Sequence, residues 1–262
     1  MGLDRLHHGF WKFYDENHNK YKSGNIFESA IKNYYKKIDK EIGEILNLLD
    51  NNTMVFVVSD HGAKAMKGCI CINMALEKLG LLKFKKNHKP GTKLQDAEVD
   101  WKKTYAWGWG GYYGRIFLNM KGREEYGIID PEDYENWRDN IIKLLKSVPD
   151  NHGNPMNTII LKPEKIFSII NGDCPDLMVY FDDLNWRSAG TIGYETMYLD
   201  ENDTGPDDAV HDYYGIFIIF DPKKKIGKNI GPKTILDIMP TILDIFGIEI
   251  PKDIEGKIIR IK

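Results

Sequence analysis

Cysteine is scarce in this 262-residue chain: Cys69, Cys71 and Cys174 make an odd set without the paired spacing of a zinc ribbon or a disulfide framework. That excludes a disulfide-stapled scaffold and points to a reducing compartment. Cys69 and Cys71 flank a single Ile and read as small, half-buried residues beside a turn rather than as a thiolate ligand pair. An excess of charge is missing too. The 36 basic and 39 acidic residues leave a formal charge of -3, so no whole-molecule field draws the chain to nucleic acid or an anionic membrane. Any phosphate recognition has to be local. Long apolar runs are absent as well, which excludes a membrane span of about 20 residues. The opening stretch MGLDRLHHGFWKFYDENHNKY carries charges and histidines where a signal peptide needs an uninterrupted apolar run. The expectation is a soluble, cytoplasmic protein that engages neither membrane nor nucleic acid, with no internal repeat and no low-complexity tract.

What is present is enough chain for one large α/β domain, or for a core with an insertion. Over residues 27–50 the apolar positions Ile31, Tyr34, Tyr35, Ile38, Ile42, Ile45, Leu46 and Leu49 recur every three or four residues, which predicts an amphipathic helix. The run TMVFVV over 53–58 is short, continuous and rich in β-branched residues, the pattern of a strand buried on both faces of a parallel sheet. GIFIIF over 215–220 has the same pattern. A short helix over 73–79 closed by Gly80, a strand over 81–84 and a helical stretch over 234–246 complete the expected core. A tail strand over 254–261 is the least defined element. Residues 1–84 and 206–262 are thus expected to form the core, and 85–205 a cap or insertion. Within the latter, strands are predicted over 115–119 and 177–181, and a helix over 131–146 with Pro131 in its first turn.

Three separated places supply metal-ligand residue types: Asp4 with His8, Asp60 with His61, and His211. Each alone is weak, since Asp and His decorate ordinary surfaces. Asp60 and His61 directly follow a predicted buried strand, and the carboxyl edge of an open α/β sheet is where active sites form. The order Asp4-x-x-x-His8 with Phe10-Trp11 behind it, then Ser59-Asp60-His61-Gly62, then His211 followed by Gly215-Ile216-Phe217-Ile218, resembles the type I phosphodiesterase/nucleotide pyrophosphatase family of the alkaline phosphatase superfamily. So does the closing stretch ILDIMPTIL over 235–243, with Gly247, Pro251 and Gly256 after it.

The resemblance implies an alkaline-phosphatase-like α/β fold, with a mainly parallel central sheet flanked by helices and a cap insertion. It implies hydrolysis of phosphate esters or anhydrides of phosphorylated small molecules, with two divalent ions, zinc or alternatively manganese. One ion's ligands map onto Asp4, His8 and His211. The other's map onto Asp60 and His61, joined in the family by a second Asp and by a Thr or Ser nucleophile. An ion pair about 3.5–4 Å apart can hold both oxygens of an in-line displacement. The four-residue spacing favours His8 over its neighbour His7, which is the runner-up, and Asp212 is at most a supporting group for His211.

In the family the second Asp and the nucleophile precede the Asp-x-x-x-His motif, whereas here only Met1-Gly2-Leu3 precede Asp4. The expectation is that the nucleophile is not in this chain, that Asp4 ends a strand whose beginning is absent, and that a separate polypeptide supplies the missing segment. The rival readings are a non-catalytic remnant or one subunit of a split enzyme, and a phosphomutase or sulfatase of the same superfamily. Softer candidates remain. Trp107, Trp109, Tyr112 and Tyr113 form either a stacking platform for a flat group or a packed aromatic cluster. Arg115, Arg123 and Arg187 are phosphate forks or salt-bridge partners, and the lysines at 223–225 fit a solvated turn.

Overall fold

The computed structural model describes residues 2–224 and 227–260. Lys225, in the expected lysine turn, and Ile261, at the end of the expected tail strand, lie outside them, as does Met1. The helices are α1 (Gly2–Tyr14), α2 (Ala30–Leu46), α3 (Ile72–Lys78), α4 (Tyr134–Lys146) and α5 (Ile238–Ile245). The strands begin with β1 (Val55–Val58), β2 (Gly62–Ala65), β3 (Gly68–Cys71), β4 (Thr92–Lys93), β5 (Ala106–Trp109), β6 (Gly114–Leu118) and β7 (Ile159–Leu161). They continue with β8 (Leu177–Tyr180), β9 (Trp186–Ala189), β10 (Thr191–Ile192), β11 (Tyr198–Leu199), β12 (Ala209–Asp212) and β13 (Phe217–Phe220). The chain divides into two compact units, Met1–Tyr34 with Ala63–His211, and Tyr35–Gly62 with Asp212–Lys262.

The first unit is built on the antiparallel sheet β5-β6-β8-β7. Alternation along the strands sends Ile116 and Leu118 of β6 and Leu177 and Val179 of β8 into the core, where all four are fully buried. Helix α4 adds Ile141 and Leu145, one turn apart on a single face, to the same cluster. A second sheet sets β3 between β11 and β9, running parallel to β9, while β4 pairs with β10 and β2 with β12. Helix α3 follows β3 directly and stops at Leu79, where Gly80 takes φ +77 and its amide reaches the Glu77 carbonyl.

Two buried polar groups tie these layers together. Asn73 on α3 pairs with Gly108 of β5 in both directions, each hydrogen bond 2.8 Å, in the manner of a strand neighbour. Asp176 accepts from the Leu118 amide, from the Tyr134 hydroxyl and, bidentately, from the Arg123 guanidinium. A buried carboxylate survives only when its oxygens are satisfied in this way.

In the second unit β1 and β13 pair with each other, antiparallel, from Val55 opposite Phe220 to Val58 opposite Phe217. Ser59 extends the ladder through its amide to the Ile216 carbonyl, and its hydroxyl accepts from the Ile216 amide at 2.8 Å. The closing stretch enters its helix through a reciprocal cap between Thr234 and Asp237. Asp237 also accepts from the Lys257 amide, and Thr241 from the Ile259 amide. The tail runs so close to this helix that a Cβ at Gly256 would collide with the Leu236 carbonyl, so only glycine fits there.

Five expectations are corrected. The described residues contain small sheets and no large parallel one, because the two apolar runs pair with each other instead of lying side by side in a wider sheet. Those runs are not buried on both faces: Ile218 and Phe220 remain about half exposed, at 48% and 49%. Asp4 does not end a strand but sits in the first turn of α1, where helical spacing gathers Asp4, His8 and Lys12 on one side. Residues 81–84 make only an isolated bridge from Phe84 to Val99, since the Leu81 and Leu82 amides return to α3, and 254–260 form no strand. The other predicted helices and strands stand within a few residues of where periodicity puts them.

Candidate metal centre

The segment 207–211 is strapped along α1. The Asp208 amide donates to the His8 carbonyl at 2.8 Å, the Asp208 carboxylate meets Lys12 at 3.3 Å, and the Asp208 carbonyl accepts from His18 Nε2. One residue earlier, Asp207 takes His8 Nδ1 at 2.6 Å. Three residues later, on β12, His211 brings Nε2 to 3.6 Å from Asp4 Oδ1. The i, i+4, i+8 face of α1 therefore meets the chain ahead of and within β12, and it does so because helical periodicity stacks Asp4, His8 and Lys12.

His8 Nε2 faces Asp4 Oδ1 at 3.3 Å. A tetrahedral ion with ligand bonds of about 2.0–2.1 Å keeps its ligand atoms about 3.3–3.4 Å apart. The separations from Asp4 to the two imidazoles, 3.3 and 3.6 Å, have that scale. His8 also has the second contact expected of a ligating imidazole: Nδ1–H held by a carboxylate, which leaves the Nε2 lone pair directed at the Asp4 side. That hydrogen bond raises the His8 pKa above its ordinary value against the opposing effect of burial, with the charges of Asp207 and Asp4 adding to the rise and Arg187 reducing it.

Asp207 is itself shared. Its second oxygen accepts from Arg187 at 3.0 Å, and the Arg187 guanidinium lies over the Tyr112 ring at 4.3 Å. Tyr112 in turn stacks on His211 with ring centroids 3.6 Å apart. Arg187 is thus committed to orienting the cluster rather than standing open to a phosphate. Asp207 and Tyr112 are the members that residue patterns missed as parts of this site, because each is joined to it only by contacts between distant parts of the chain. His7, next to His8, turns its ring edge towards Trp11 at 5.4 Å.

Asp60 and His61 belong to the second unit. They follow β1 in a turn where the His61 amide donates to Asp60 Oδ1 and His61 Nδ1 lies 2.9 Å from the Gly62 carbonyl oxygen, an arrangement that directs Nε2 away from the backbone. Asp212 accepts from the Tyr213 amide at 2.7 Å. The remaining arginines have local partners, Arg115 the Gly110 carbonyl and Arg123 the buried Asp176. In the aromatic-glycine cluster, Trp107 stacks with Phe117, Tyr113 with Tyr180 and Tyr112 with His211, so its members separate to different neighbours.

A family model described as Type I phosphodiesterase / nucleotide pyrophosphatase matches residues 1–207. The matched span holds Asp4, His8, Asp60, His61 and Asp207, and His211 lies just beyond it. No curated protein and no solved structure matches the chain.

Proposed function

We propose, given that this chain belongs to the type I phosphodiesterase/nucleotide pyrophosphatase family, that it is the metal-holding part of a hydrolase that cleaves phosphate diesters and anhydrides. Membership carries phosphodiesterase/pyrophosphatase-type hydrolysis of phosphorylated small molecules. The metal dependence is our own reading, and the observation that supports it is the approach of His8 and of His211 to one Asp4 oxygen, with Asp207 behind His8. In this reading Asp4, His8 and His211 hold one zinc or manganese ion, and Asp60 with His61 contribute to a second. Ions bound there would supply charge stabilisation on the transferred phosphoryl oxygens. Residues 1–84 and 206–262 act as an alkaline-phosphatase-like core and 85–205 as the cap that selects the substrate.

The chain's own residues do the positioning. Asp207 fixes the His8 tautomer, Arg187 fixes Asp207, and the Tyr112 ring holds the plane of His211, so the donors stand in place before an ion arrives. No side chain of this chain is assigned as nucleophile, and we propose that a further polypeptide segment supplies it. The open apolar surface of the second unit supports that reading, since Ile218, Phe220 and Met239 are each about half exposed. The test is hydrolysis of bis(p-nitrophenyl) phosphate with zinc or manganese supplied. The chain alone is expected to turn over slowly, in a metal-dependent way that His211→Ala abolishes. Rapid turnover by the chain alone, lost in Asp60→Ala, would place the whole site within these residues, and turnover indifferent to metal would refute the metal reading.

A further inference from the structure

Strand β5 carries Trp107 and Trp109 on the face opposite the buried Ala106 and Gly108, as alternation requires. Trp101 stands edge-on to Trp107, with ring centroids 5.2 Å apart and planes at 84°. These three indoles, with Tyr126, Glu124 and Glu125, are among the residues that line a cavity of about 320 Å³. Its mouth is reachable, because Trp109 is 39% and Tyr126 47% exposed.

The lining holds no lysine or arginine. Arg123, the nearest guanidinium in sequence, lines a neighbouring cavity and is committed to Asp176 and to Glu124. The charges facing the cavity are therefore negative, and so are the π-faces of its aromatic walls. An anionic or phosphorylated ligand is disfavoured on both counts. A divalent metal ion is disfavoured too, because one of the two carboxylates is already engaged by Arg123 and the rest of the wall is largely indole. A poorly hydrated organic cation suits the aromatic and acidic walls: its charge meets the rings and Glu125, which the Tyr126 hydroxyl also holds, and its methyl groups fill apolar space. We propose that this cavity binds the quaternary ammonium group of a small molecule. None of its residues belongs to the metal cluster, so the proposal stands or falls independently of the hydrolase reading.

Calorimetric titration of the full chain with tetramethylammonium chloride and with choline, at fixed ionic strength, tests it. Saturable one-site binding is expected for both ions. The neutral isostere 3,3-dimethylbutanol should bind about tenfold more weakly or worse, since it lacks the charge. Trp109→Ala and Glu125→Gln should each weaken choline binding by about tenfold, and Trp109→Phe, which keeps a π-face, by less. Both positions are at the surface, and the far-ultraviolet circular dichroism of each variant checks that the fold is retained. Absence of saturable binding to the unmodified chain, equal affinity for the neutral alcohol, or folded variants that bind choline as the parent does would each overturn the proposal.

Discussion

Asp207 gives one oxygen to His8 and the other to Arg187, which makes it the carboxylate that orients His8, one of the proposed metal ligands. Asp207→Asn keeps the volume but loses the charge. It is expected to lower affinity for a divalent ion by about 10–100-fold, read by competition with a chromophoric chelator; unchanged affinity would remove Asp207 from the site. Although the helix that carries it is not among the expected elements, Asp4-x-x-x-His8 is legible in sequence through the family resemblance. Asp207 is not, since its contact with His8 spans 199 residues and nothing in its neighbourhood distinguishes it from other acidic loop residues. Cys69 and Cys71 are fully buried within β3 rather than half-buried beside a turn. Burial raises the Cys69 thiol and pushes Cys71 up to about 12, while Cys174 is only partly buried. Iodoacetamide at pH 8 should therefore label Cys174 alone in the native chain and all three thiols after denaturation. Modification of Cys69 or Cys71 at comparable rates would contradict that burial.

At the scale of elements, periodicity reads α2, α4, β1, β6, β8 and β13 because each carries a local signal: one apolar face, or a run of branched residues. It misreads what pairs with what. The apolar character of β1 and β13 suits a doubly covered strand, yet neighbours at longer range decide coverage, and among the described residues each strand pairs only with the other. It is equally blind to Asp176, a single acidic residue that holds β6, the 119–130 loop and the start of α4 through four hydrogen bonds. Asp176→Ala strips an acceptor from the buried Leu118 amide and leaves Arg123 without its partner. A loss of about 3 kcal/mol is expected in urea unfolding, at the low end for a broken buried pair because Arg123 can turn to water. A loss within error of zero would show that the network is dispensable.

For the whole molecule, Cys69, Cys71 and Cys174 are free cysteines, and no helix among the described residues is long and apolar enough to cross a membrane. Stability is expected to depend on pH through His18, which bonds the Asp208 carbonyl and the Lys20 amide and is held neutral by burial, its pKa lowered. A folded-state pKa below the unfolded value of about 6.5 means that the unfolded chain takes up the proton first. The His18 contribution is therefore present above that pH and lost as pH falls through it. His8 acts in the opposite sense, its raised pKa favouring the fold on the acid side. The comparison of parent and His18→Gln, by thermal unfolding between pH 5 and 8, isolates the first effect: the acid-side loss should be smaller in the variant, and parallel curves would contradict it.

We infer that Asp4, His8 and His211 hold a divalent ion. Calorimetric titration of zinc into metal-stripped chain, beside His211→Ala, tests it most directly. A tight binding event is expected in the parent, with proton release that grows as pH falls towards the raised pKa of His8, and its loss in the variant while the Asp60 and His61 pair is untouched. Equal zinc binding by parent and variant would contradict it.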